Sequence, residues 1–149
     1  PGFRGYSFHT IDNKGRVIIP SRFRDIIKAN GGDGVVVTRM DGCLLGYPFD
    51  EWRSLESNIG SMAETSGNIR RFRRVFIGGA SECNCDKQDR ILIPQALREY
   101  AKIEKDIVLV GVVDHFEIWC RENWDLESSE FDNDMKSEEA RNEIAKLGI

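Results

Sequence analysis

Apolar and polar positions alternate loosely over residues 6–11, the period of a half-buried strand. The run ends in Asp12-Asn13-Lys14-Gly15, with a turn-forming Asp in front and a Gly at the close. Residues 16–19 follow as a short, β-branched strand. Pro20 comes next, and its missing N–H suits the first position of a helix, where that donor would be an orphan. Phe23, Ile26 and Ile27 then fall at i, i+3 and i+4 as an apolar stripe. Asn30-Gly31-Gly32 ends the helix. A β-rich run, VVVTRMDGCLLGY, fills residues 35–47.

The same grammar is written again. DNKGRVIIPSRFRD at 12–25 becomes DKQDRILIPQALRE at 86–99, an offset of 74. Residues 82–85 lead into the second turn, 90–93 form the strand, and Pro94 opens a helix with Leu97, Tyr100 and Ala101 on one face. IVLVGVVDHFEIW at 107–119 is the second β-rich run. Asp41 aligns with Asp114 at an offset of 73, and Trp52 with Trp124 once one residue is skipped. The repeated unit is therefore β-turn-β-α-β-β with a following tryptophan.

Between the copies, Trp52, Leu55 and Ile59, then Ile69, Phe72, Val75 and Phe76, keep helical spacing over residues 50–77. From Ser128 the tail is acidic, thin in apolar residues, and predicts a short helix over 137–147. The organisation read from this is a first repeat at 6–49, a helical connector at 50–78, a second repeat at 79–122 and an acidic helical tail at 123–149. Units below about 60 residues bury too little surface to stand alone. Two of them paired strand against strand would close each other's edges. The expectation is an α+β fold: a compact mixed barrel with an internal pseudo-two-fold axis.

Charge changes the picture where it is uneven. The chain carries −4, but residues 122–149 hold nine acids against three bases, net −6, which leaves +2 on residues 1–121. Arg4, Lys14, Arg16, Arg22 and Arg24 face only Asp12 within residues 1–24, and RRFRR at 70–74 adds four more arginines. Local patches, rather than the total, set the field a polyanion meets. No run approaches the roughly 20 apolar residues that span a bilayer. No basic start leads into an apolar stretch and cleavage site, so a cytosolic chain with Cys43, Cys83, Cys85 and Cys120 as reduced thiols is expected.

Candidate chemistry is sparse. G-x-S-x-G, Walker A and H-E-x-x-H are absent from the sequence, and His9 and His115 sit in strand-like runs without an adjacent nucleophile. Cys83 and Cys85, with His115 and Cys120 downstream, match no common zinc spacing. The reading is a binding protein rather than an enzyme, with no cofactor, no metal and no small-molecule substrate.

The pattern D-x-x-G-R-h-x-h-P-x-x-h-R, with h apolar, resembles the SpoVT-AbrB family of bacterial DNA-binding domains. Two copies, together with residues 3–24 and 70–119 as wholes, are similar to the MraZ family. The resemblance implies a swapped-hairpin β-barrel with flanking helices, and chains that assemble into a ring homo-oligomer. It implies cytoplasmic, nucleoid-associated transcriptional regulators that bind double-stranded promoter DNA at short direct repeats. That promoter is the one serving the division and cell-wall gene cluster that contains the regulator's own gene. It places the functional face at Asp12 and Arg16 and at Asp86 and Arg90. The family usually has Gly before the second Arg. Here Asp89 stands there, which is expected to put a negative charge beside Arg90.

On that reading Arg16 and Arg90 offer planar forks for guanine O6 and N7, worth about 1–3 kcal/mol of discrimination per contact; the alternative is that they are internal salt-bridge partners only. Lys14, Lys87 and Arg22 meet phosphate, which positions without specifying. Gln88 touches a base or a phosphate. The two turn tips are expected side by side. Asp12, Gly15, Pro20, Asp86 and Pro94 are structural members of the motif, the acids forming Asx turns or bracing the arginine four residues on. Arg24 and Arg98, near the helix starts, are either DNA-facing charges or fold-holding ion-pair partners. RRFRR is either the solvated face of an amphipathic helix or a seat for an acidic neighbour. The rival function is a ring-forming interaction module whose basic faces bind an acidic protein. A few basic contacts give a Kd on the order of 10⁻⁴ to 10⁻⁶ M. Linked copies raise avidity by roughly 10² to 10⁴, so assembly belongs to the DNA-binding reading.

Overall fold

A computed structural model describes residues 2–62 and 66–149; residues 63–65 of the expected connector lie outside the described residues. In chain order the elements of the first repeat are β1 (Tyr6–Thr10), β2 (Arg16–Ile18), α1 (Ser21–Lys28), β3 (Gly34–Met40) and β4 (Cys43–Pro48). α2 (Phe49–Gly60) and α3 (Gly67–Phe72) follow, and α3 runs into a π-helical turn over Arg73–Ile77. The second repeat supplies β5 (Ser81–Asn84), β6 (Arg90–Leu92), α4 (Gln95–Tyr100), β7 (Asp106–Val112) and β8 (His115–Cys120). The acidic tail forms two helices, α5 (Arg121–Asp134) and α6 (Glu138–Ala145), neither with a buried residue. The sequence pattern predicted only the second of them.

Pro20 and Pro94 sit one residue earlier than expected. Each is the cap before its helix, in extended backbone. The Pro20 carbonyl accepts from Phe23 N and Arg24 N at 3.0 Å, and the Pro94 carbonyl from Leu97 N and Arg98 N at 3.1 Å. The ring thus fixes the entry angle while its carbonyl satisfies the first orphan donors.

The strands pair across the repeats. β1 lies antiparallel to β7, β5 to β3, β4 to β8, and β2 to β6. The pairings map onto each other: Thr10↔Asp106 in one repeat has its counterpart in Asn84↔Gly34 in the other. The offset between equivalent residues is 74 up to the helices and 72 beyond them, because α1 has 8 residues and α4 has 6. The alignment of Asp41 with Asp114 is therefore one residue out. Asp41 (φ 56) corresponds to Val113 (φ 68), each the left-handed first residue of a hairpin turn. Trp52 and Trp124 align at 72 with nothing skipped.

The sheet does not close into a barrel. Hydrogen bonding runs through six strands in the order β1-β7-β8-β4-β3-β5, leaving β1 and β5 as edges, and β2 and β6 form a separate ribbon. The ribbon strands are three residues long because turn bonds consume their ends: Asp12 N donates to Arg16 O, and Ile19 N to Asp89 O. One apolar core joins both repeats, with Phe3, Phe23 and Phe116 as mutual ring contacts at 5.1–5.6 Å. On the opposite sheet face a second cluster gathers Val36, Leu45, Trp52, Phe76, Val108 and Trp119. Trp52 is buried there.

Candidate nucleic-acid interface

Each turn is built around one carboxylate. Asp12 Oδ1 accepts from Lys14 N (3.0 Å) and Arg16 N (2.8 Å), and its Oδ2 accepts from Arg16 Nε (2.6 Å). Asp86 repeats this with Gln88 N (2.8 Å), Arg90 N (2.9 Å) and Arg90 Nε (2.9 Å). These are Asx turns and arginine braces at once. The backbone bond from Arg16, with its side chain and Lys14 N helping, holds the Asp12 carboxyl down at about 2. Asp86 is lowered in the same way, first by Arg90 N. Hydrogen bonds to the charged form favour it.

The two turns lie at opposite ends of the β2–β6 ribbon rather than side by side. Antiparallel register makes this unavoidable, since Arg16 opposes Leu92 and Ile18 opposes Arg90. Val17 and Ile91 are fully buried, so alternation sends Arg16, Ile18, Arg90 and Leu92 to the other face together. Arg16 and Arg90 become diagonal neighbours across the ribbon, with backbones about 7–8 Å apart. Their side chains are part-buried, at 31% and 22% exposure. Among the described residues neither makes a hydrogen bond through its Nη atoms; each carboxylate grips Nε alone. A braced guanidinium with its outer edge unused is a pre-organised two-pronged donor.

Lys14, Lys87 and Gln88 are exposed on the turns, and Arg22 is exposed with its guanidinium 4.9 Å from the Phe23 ring centre. Asp12 and Asp86 offset the charges of Arg16 and Arg90, whereas Lys14, Lys87 and Arg22 make no ion pair among the described residues.

Arg24 and Arg98 face inward, and each reaches the other repeat's turn. Arg24 is buried, pairs with Asp33 at 3.0 Å and makes a second ion pair to Asp89. Arg98 donates from Nε to the Ile93 carbonyl at 3.0 Å and lies across Gly15. A Cβ on Gly15 (φ +91) would sit 2.7 Å from the Arg98 guanidinium. Arg24 is the fold-holding ion-pair partner; Arg98 makes no ion pair among the described residues and is held by the Ile93 carbonyl instead. Asp89 likewise spends its charge on Arg24, not beside Arg90, and takes the left-handed backbone (φ 66) that Gly15 takes in the first copy. Asp33 gave no signal in sequence, because its partner lies nine residues back. Ile18 and Leu92, both 56% exposed, were legible only as strand residues.

In the connector, Arg73 Nη2 donates to Ile59 O (2.5 Å) and Met62 O (3.0 Å), tying the connector helices together. Arg70, Arg71 and Arg74 are exposed. Cys83 and Cys85 pack on the main core, and burial pushes both thiols up to about 11. Among the described residues no three of His, Cys, Asp or Glu cluster as metal ligands, and no helix is long and apolar enough to cross a membrane.

Comparison with known proteins agrees with the duplication. The family model described as "MraZ protein, putative antitoxin-like" matches twice, at residues 3–75 and 76–146. A protein named transcriptional regulator MraZ in Desulforapulum autotrophicum is 53% identical over 147 residues, 99% of each chain. One of the same name in Desulfosudis oleivorans is 48% identical over the same share, and one in Caldicellulosiruptor saccharolyticus 43% over 95% of each chain. That name denotes a regulator, not an enzyme. With both motifs in place, both halves matched and full-length relatives at this identity, the chain belongs to the MraZ family.

Proposed function

We propose that this protein is a sequence-specific, DNA-binding transcriptional regulator. Its target is the set of direct repeats in the promoter of the division and cell-wall gene cluster that holds its own gene. It works in the cytoplasm on the nucleoid, as a ring homo-oligomer. The carrying observation is the pair Arg16 and Arg90: both are braced at Nε by an Asx-turn carboxylate, and both stand on one face of a two-stranded ribbon. A β-ribbon fits the major groove, where arginine reads guanine O6 and N7. Lys14, Lys87 and Arg22 bind flanking phosphates and set affinity; the neutralised Arg–Asp pairs set sequence preference. The cross-pairing of β1 with β7 and of β5 with β3 supports the swapped-hairpin reading. Exposed Tyr6, Phe8 and Phe131 supply apolar surface for contacts between subunits.

The test is a titration of labelled promoter DNA against scrambled DNA at two salt concentrations. The reading expects preference for the repeat-bearing fragment and a salt slope near −0.9 per phosphate neutralised. Equal, feeble binding to both fragments would leave the acidic-protein partner as the better account.

A further inference from the structure

Ile18 and Leu92 belong to neither of the two buried apolar clusters. They are equivalent residues, 74 apart, each 56% exposed in the middle of an otherwise well-packed motif. The neighbours that do build the core, Val17, Ile19, Ile91 and Ile93, are essentially buried. The other large exposed apolar side chains on the first repeat's leading strand, Tyr6 and Phe8, have Ala80 and Glu82 as their counterparts, so that patch is not duplicated. The ribbon pair obeys the two-fold, as do Met40 and Val112 at the ends of β3 and β7, 72 apart; of these two pairs, only the ribbon pair stands opposite the arginines of the motif. Each aliphatic stands directly opposite an arginine of the other repeat, Ile18 across from Arg90 and Leu92 across from Arg16.

We propose that Ile18 and Leu92 are specificity-determining residues that read the C5 methyl group of thymine in the major groove. This rests on the DNA-binding reading above. In the major groove thymine is the base that shows a methyl, and apolar side chains recognise it by contact. Facing residues on the ribbon are about 5 Å apart, against a rise of roughly 3.4 Å per base. An arginine on guanine therefore carries the aliphatic across from it to a base one or two steps away. The ribbon face becomes two Arg–aliphatic readers related by a two-fold, each pairing a guanine with a nearby thymine. Water leaves the methyl and the side chain together on binding, an apolar gain that no phosphate contact supplies.

Deoxyuridine isolates this, because it removes the methyl and keeps every hydrogen-bonding atom. The promoter fragment upstream of the protein's own gene is titrated with its box thymines intact and then replaced by deoxyuridine. The wild-type protein is expected to bind the deoxyuridine fragment about fourfold more weakly per methyl read, the worth of one buried methyl. The double variant I18S/L92S is expected to bind both fragments alike, and each single variant to keep the penalty of the reader it retains, all with unchanged melting temperature and solution mass. Equal wild-type affinity for the two fragments, with preference over scrambled DNA retained, overturns the thymine reading and leaves the regulator standing. Loss of the native solution mass in I18S or L92S also overturns it, by assigning the pair to a contact between subunits. No preference for the native fragment over scrambled DNA removes both readings.

Discussion

Arg24 on α1 grips Asp89 in the opposite repeat's turn, and the pair joins the two halves of the motif into one object. Asp33 takes the same guanidinium at 3.0 Å, while its buried Nε has no partner among the described residues. Arg24→Ala leaves two half-exposed carboxylates facing each other without a cation. Solvent screens both, so the expected loss lies below that of a fully buried pair, about 1–3 kcal/mol. Thermal unfolding followed by circular dichroism checks it, with a drop of roughly 3–10 °C expected for a chain of this size. Asp89→Gly is expected to cost less, since Arg24 keeps Asp33 and glycine suits the positive φ.

Gly15 is the mirror of this arrangement. Its φ of +91 favours glycine, and a Cβ would stand 3.1 Å from the Ile93 carbonyl and 2.7 Å from the Arg98 guanidinium. Gly15→Ala is expected to lose about 1–2 kcal/mol from the left-handed backbone alone. Gly15→Asp is expected to lose less than Gly15→Ala, because its carboxylate meets Arg98 as Asp89 meets Arg24. Chemical denaturation of the two variants side by side gives the order; a larger loss for Asp than for Ala would sink the equivalence of the two turns.

Acid should loosen the turns before it unfolds the core. The folded Asp12 carboxyl titrates at about 2, below its ordinary value of 3.8, and Asp86 shifts the same way. A group depressed in the folded state adds stability that is complete above its unfolded pKa and is lost as pH falls through the folded one. The contribution of Asp12 is therefore present at pH 5 and fades between about pH 4 and 2. Asp12→Asn keeps an oxygen for the turn amides and removes this titration, so its melting temperature should fall less steeply than wild type across that window.

Much of this arrangement was legible because the duplication printed it twice. The offset of 74 located both turns, both prolines and the arginines at 16 and 90 before any packing was known. Local chemistry also located the carboxylates, since an Asx turn needs only Asp and the amides two and four residues on. The missing part is long-range. Nothing along the chain says that Arg24 crosses to Asp89, because the contact exists only once β2 and β6 are paired. The placement of the turns at opposite ends of the ribbon follows from antiparallel pairing between repeats, which periodicity does not report. The open sheet has the same origin: a hydrophobic pattern sets which faces are covered, not where the hydrogen bonding stops. The helix α5 escaped because its stripe is weak and none of its residues is buried.

Affinity and sequence preference should separate when single residues are removed. Lys14 is exposed at the turn, and among the described residues it makes no ion pair. Its ammonium is a point charge suited to phosphate. Lys14→Ala should weaken promoter and scrambled DNA by the same factor and lower the salt slope by about 1. Arg16→Ala removes a fork whose charge Asp12 already offsets, so the salt slope should move less while the promoter-to-scrambled ratio falls by roughly 5–150-fold, the range for one lost base contact. Asp12→Ala frees the Arg16 Nε and unties Lys14 N and Arg16 N. The arginine is then present but no longer aimed, and the ratio should fall toward that of Arg16→Ala, although a negative charge has been removed from the face. An unchanged ratio with tighter binding of both fragments by Asp12→Ala, as simple electrostatic attraction predicts, would show that charge rather than orientation governs the interface.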